Sequence, residues 1–110
     1  MSRFTHPNLA DVPLASMLYA LSDPTRLEIV RRLDNDRGEG EGLSCSCAAP
    51  EGLPRATMSN HFDILRSAGL IESRKEGTKV INRLRRSDLD ARFPGLLDAV
   101  LHAEAALSNS

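Results

Sequence analysis

A chain of 110 residues, 41% hydrophobic and without tryptophan, is sized for one domain over 1–110 with no room for a second core. No run approaches the length of about 18 uncharged apolar residues that a membrane span requires. The opening Met1-Ser2-Arg3-Phe4-Thr5-His6-Pro7 lacks the apolar centre of a signal peptide, so the expected location is the cytoplasm, with Cys45 and Cys47 as reduced thiols. The formal net charge of −1 conceals a polarity: residues 54–86 hold eight bases and three acids, and the remainder holds six bases and twelve acids.

In chain order, Leu14, Met17, Leu18 and Leu21 predict a first helix over 9–21, with Pro13 inside its first turn or marking its start. Asp23 is placed to cap a second helix and Pro24 fits its first position, with Leu27, Val30 and Leu33 following at helical spacing. An acidic, glycine-rich linker covers 34–42, and a short helix is expected over 43–51, ended by Gly52. A longer helix runs from about 53 or 54 to 68, and strands over 70–75 and 78–85 meet in a turn at Glu76-Gly77. Ser87 or Asp88 is expected to cap a last helical region, interrupted at Phe93-Pro94-Gly95. Its later residues Leu96, Leu97, Val100, Leu101 and Leu107 form an apolar face too large for so small a domain to bury alone. The helices at about 9–21 and 94–107 are therefore expected to pair two copies of the chain. Leu14, Met17, Leu18, Leu97, Val100 and Leu101 are the expected contacts.

The helix ahead of the hairpin carries the chemistry. Met58, Phe62 and Leu65 recur at i, i+4 and i+7 as a core stripe, while Ala56, Ser59, Asn60, Asp63, Arg66 and Ser67 fall on the opposite side. That side is short and rich in hydrogen-bonding groups, and the basic hairpin stands beside it. The combination suits a helix that enters the major groove of double-stranded DNA. Ser59 and Asn60 are candidates for base or phosphate contact, and Arg55 and Arg66 for phosphate contact. Arg74, Lys75, Thr78 and Lys79 flank the hairpin tip, within reach of the backbone or an adjacent minor groove. His61 is open between a DNA contact and a hydrogen-bonded boundary histidine.

Three segments together resemble the ArsR/SmtB family of bacterial winged-helix repressors, over residues 14–101. They are Ala20-Leu21-Ser22-Asp23-Pro24-Thr25-Arg26-Leu27-Glu28-Ile29-Val30, Ala56-Thr57-Met58-Ser59-Asn60-His61-Phe62, and Leu65-Arg66-Ser67-Ala68-Gly69-Leu70-Ile71. The resemblance implies a mainly helical winged helix-turn-helix with a small β-hairpin, in the order α-α-α-α-β-β-α, dimeric through its first and last helices. It also implies binding to an operator, usually as a repressor, with Thr57, Ser59, Asn60 and His61 at the DNA-reading positions. Where the family often has Ser-His-His, this chain has Ser59-Asn60-His61, and an asparagine can pair bidentately with adenine. Pro54 stands where a polar cap is usual.

Cys45 and Cys47 have three readings: packing thiols, a metal or metalloid clip, or a redox pair. Metal-sensing family members carry Glu-Leu-Cys-Val-Cys in this neighbourhood, and here Gly42-Leu43-Ser44-Cys45-Ser46-Cys47 is out of that register by two residues. A tetrahedral site needs two donors beyond these thiols, and residues two apart in a helix make a poor disulfide. Asp98 and His102 read as a surface pair. The alternative to a homodimeric DNA-binding regulator is a protein-interaction module of the same fold. An enzyme is not supported, because no phosphate loop, nucleophile elbow or metalloprotease spacing occurs.

Overall fold

The computed structural model describes residues 4–36 and 42–108. The centre of the expected acidic linker and the side chain of Leu107 lie outside the described residues. In chain order the elements are a 3-10 turn (Leu9–Asp11), α1 (Leu14–Ala20), α2 (Pro24–Asn35), β1 (Leu43–Ser44), α3 (Cys45–Ala48), α4 (Arg55–Ser67), β2 (Ile71–Glu76), β3 (Lys79–Leu84), α5 (Arg86–Arg92) and α6 (Leu96–Ser108).

The expected first helix is broken into two. Val12 and Pro13 are extended between the 3-10 turn and α1, because proline lacks an N–H and forces its predecessor out of the helical region. Helix α2 begins as its sequence dictates: the Asp23 carboxylate accepts from the Arg26 backbone N–H at 3.0 Å, and Pro24 stands in the first turn. On its outer face, hydrogen bonding from Arg31 holds the Glu28 carboxyl below the usual carboxylate range, although burial works the other way.

The expected helix over 43–51 is a correction. Leu43 and Ser44 form a strand that pairs antiparallel with β3, Leu43 opposite Asn82 and Ser44 opposite Ile81. Only one helical turn remains, capped by the Ser44 hydroxyl, which accepts from Cys47 N at 3.4 Å. The sheet therefore has three strands in the order β1-β3-β2 rather than a lone hairpin. The hairpin runs in register from Ile71 opposite Leu84 to Glu76 opposite Lys79, so its turn is Gly77-Thr78, one residue later than expected. At α5 neither Ser87 nor Asp88 caps: Arg85 takes the cap position without a side-chain bond, and Asp88, within the first turn, pairs with Arg85 at 3.3 Å. The break over 93–95 is present.

The core gathers Met17, Ile29, Val30, Phe62, Leu65, Leu70 and Ile71, all essentially removed from solvent. Helix α2 is its hub, touching α3, α4, β3 and α6. The α4 stripe packs as its spacing requires, with Phe62 and Leu65 buried and Met58 half-buried. The segment before α1 lies across the base of the hairpin. His6 Nε2 accepts from the Ser73 backbone N–H of β2 at 2.9 Å, and the Pro7 carbonyl accepts from Arg85 at 2.8 Å.

Two glycines test how the hairpin is joined to the core. Gly69 ends α4 with φ +81°, and a Cβ there would overlap the Leu9 Cδ2 methyl, whereas Gly77 has φ +64° and open space around it. Gly69→Ala is expected to lose about 2–4 kcal/mol of stability, combining left-handed strain with overpacking. Gly77→Ala should lose only the strain, about 1–2 kcal/mol. Urea unfolding measures both, and equal losses would show that the Leu9 contact contributes nothing.

Candidate nucleic-acid interface

Helix α4 presents Arg55, Ala56, Thr57, Ser59, Asn60, Asp63 and Ser67 to solvent. Its buried stripe fixes which way this face turns, since rotating α4 would expose Phe62 and Leu65. Pro54 at its N-cap makes no side-chain cap bond, and the first turn holds no acid. The first amides of the helix and the positive end of its dipole therefore face outward beside Arg55, an arrangement suited to a phosphate.

The hairpin supplies the second half. Lys75, Glu76, Gly77, Thr78 and Lys79 are exposed at its tip. Arg74 pairs with Glu76 at 3.1 Å and Arg83 with Glu72 at 3.3 Å. Among the described residues no carboxylate pairs with Arg55, Lys75 or Lys79. The cations open to a polyanion are thus fewer than the sequence count suggests, and they sit on the first turn of α4 and at the tip of the wing.

Two residues expected at the interface are turned inward instead. His61 has a side chain only 12% exposed. Its Nδ1 lies 3.2 Å from Arg26 Nη1 and 3.9 Å from Asp23. Of its two open readings the geometry favours the boundary histidine. Arg66 is a correction of the same kind, with 12% of its side chain exposed. Its Nε donates to Ser73 Oγ at 2.9 Å and its Nη1 to Asp63 at 2.8 Å, while its guanidinium covers the Phe4 ring at 4.3 Å. Arg66 joins the end of α4 to the base of the wing, so a phosphate would have to displace three partners to reach it.

Arg26, which the sequence shows only as part of a motif, ties this surface to the rest of the chain. It is 6% exposed. Its Nε donates to the Ala20 carbonyl at 2.8 Å, its Nη2 to the Tyr19 carbonyl at 3.1 Å, and its Nη1 meets His61. Since the arginine must donate, His61 Nδ1 accepts, which assigns the ring proton to Nε2. The only sequence signal was an arginine two residues inside α2, where helical spacing directs it toward the core. Asn82 and Ser73 were missed as well. Asn82 lies between Val80 and Leu84 on the alternating pattern of β3, and a polar residue at that step is the signal that was available.

Cys45 is half-buried and Cys47 exposed, both free thiols on the single turn of α3. Among the described residues no three His, Cys, Asp or Glu side chains come together in a metal-holding group. The two thiols by themselves leave a tetrahedral centre two donors short. Asp98 bonds to Arg86 rather than standing free beside His102. On the expected pairing helices, Leu14 and Leu18 are 49% and 46% exposed, joined by Tyr19 at 61%. Met17, Leu97 and Leu101 are buried in their own core and Val100 is half-buried, so the first three are corrected to core residues rather than exposed contacts.

Residues 21–74 match the family model of a helix-turn-helix domain. An uncharacterised helix-turn-helix-type transcriptional regulator of Methanocaldococcus jannaschii is 39% identical over 58% of this chain and 68% of its own. The arsenical resistance operon repressor of Staphylococcus xylosus is 34% identical over 70% of each. Among solved structures, an ArsR-like transcriptional regulator from Rhodococcus superposes with a TM-score of 0.57 at 29% identity, covering 87% of each chain.

Arg26→Leu is expected to lose about 2–4 kcal/mol, because it strips charge-assisted bonds from two carbonyls and from His61. Arg26→Lys should recover little, since one ammonium cannot span acceptors spread over two helices. Urea midpoints decide this, and a lysine variant as stable as the native chain would show that charge alone does the holding.

Proposed function

For a chain that belongs to the ArsR/SmtB family of winged-helix transcriptional regulators, we propose a homodimer that sets one α4 into the major groove at each half of an inverted-repeat operator. The chain is a DNA-binding regulator of transcription of the repressor type. The finer reading is carried by one observation: the solvent face of α4 is small, polar and free of acids in its first turn. Ser59 and Asn60 are assigned to bases, with Asn60 able to pair with adenine, and Thr57 to the same face. Arg55 and the helix N-terminus are assigned to phosphate, and Lys75, Thr78, Lys79 and Arg74 to the flanking backbone. Half-sites would lie about one helical turn, ~34–36 Å, apart.

The exposed Leu14, Leu18 and Tyr19 on α1 support pairing of two copies through the helices. An effector acting at Cys45 and Cys47 belongs to the same reading, supported by their place on the turn that precedes α4. No helix among the described residues is long and apolar enough to cross a membrane, and the cytoplasm is the proposed location.

A duplex selected from a random pool tests the assignment. Ser59→Ala/Asn60→Ala should bind it about tenfold or more weakly, losing preference for the selected sequence over scrambled DNA. Lys79→Ala should weaken binding to both alike and flatten the salt dependence by about one unit of slope. Full affinity in the double variant would remove α4 as the reading helix, and an unchanged slope would remove Lys79 from the phosphate contacts.

A further inference from the structure

Asn82 is a fully buried amide, 0% exposed, in the middle of the central strand. It stands opposite Leu43 of β1 on one side and Ser73 of β2 on the other. Its whole side chain is engaged. Oδ1 accepts the Ser73 hydroxyl at 2.7 Å, and Nδ2 donates to the Leu43 carbonyl at 3.2 Å and to Cys45 Sγ at 3.3 Å. Ser73, itself buried, accepts in turn from Arg66 Nε. Four side chains thus form one line of hydrogen bonds, from α4 through β2 and β3 to α3. Arg66 donates to Ser73, Ser73 donates to Asn82, and the Asn82 amide donates to the thiol.

We propose that Ser73 and Asn82 are positioning residues that transmit the state of the Cys45 sulfur to Arg66, and so to the seating of α4 against the wing. The inference rests on the reading of α4 as the DNA-reading helix. Its physical basis is the buried centre of the line, Ser73 and Asn82, with Arg66 and Cys45 partly buried at its two ends. Hydrogen bonds in series polarise one another where water is excluded, and a buried donor that loses its acceptor must shift or remain unpaired. The two Asn82 amide hydrogens serve Leu43 and Cys45. Changing the sulfur as an acceptor therefore changes where the amide sits, and with it the carbonyl that Ser73 needs. Arg66 follows, because Ser73 has one hydroxyl with which to meet both neighbours. Cys47, exposed and off this line, takes no part.

The test uses the full chain and two readouts. The first is the nitrogen–proton NMR resonance of the Arg66 Nε–H. Cys45→Ala should move it, Cys45→Ser should return it toward the native position because a hydroxyl restores an acceptor, and Cys47→Ala should leave it alone. Cutting the line with Ser73→Ala should abolish the response to Cys45→Ala. Asn82→Leu serves as a second cut should Ser73→Ala fail to fold. The second readout is affinity for the selected duplex. Cys45→Ala should change it by about two- to tenfold in the native background and not in the cut background, the non-additivity expected of coupled residues. An Arg66 resonance indifferent to Cys45, or equal effects of Cys45→Ala in both backgrounds, overturns the proposal. A native chain that enriches no duplex overturns the DNA reading instead, while the resonance still decides the relay.

Discussion

The structure depends on one buried guanidinium. Arg26 leaves α2, closes on the last carbonyls of α1 through Ala20 and Tyr19, and reaches His61 on α4. Those carbonyls form the negative end of the α1 dipole, where a cation is favoured, and the Tyr19 carbonyl accepts from Ser22 as well. A planar fork with several donors is the side chain able to serve three acceptors on two helices at once. Asp23, whose carboxylate caps α2, lies beside the same histidine. The start of α2, the end of α1 and the middle of α4 are thereby fixed by one cluster, and the orientation of the exposed α4 face follows from it.

The elements that a sequence pattern reveals well are those whose stabilisation is local. The α2 start was legible in Asp23-Pro24, because capping acts within one turn. The two faces of α4 were legible because Phe62 and Leu65 repeat at helical spacing. The hairpin was legible from its alternation and from Gly77. Strand β1 was not, because two residues carry no periodicity, and Leu43 and Ser44 are extended only through their partners in β3. Pro13 marks the break in the sequence, and it extends Val12 as well by disfavouring the helical region for its predecessor.

Buried polar residues escaped for a different reason. A sequence presents arginine, serine and asparagine as surface residues, and only tertiary pairing brings them inside. Arg66 looked like a cation for phosphate because its position on the helix faced the polar side, yet Phe4, Asp63 and Ser73 enclose it. The electrostatic reading changes accordingly. The surplus of positive charge over 54–86 is real in number, but Glu72, Glu76 and Asp63 neutralise several of its members in place. What stays open to a polyanion is confined to the first turn of α4 and the wing tip, the two places a duplex would meet together.

The N-terminal segment has a consequence for assembly. A sheet with a bare outer strand invites a neighbouring molecule to add its own strand, the ordinary route to unwanted aggregation. Here an imidazole nitrogen of His6 occupies an outward amide of β2, lysine and arginine follow along the same strand, and the far border is only two residues long. Growth of the sheet from one molecule into the next is discouraged on both borders, so the wing can stay exposed without acting as a template for a neighbour's strand.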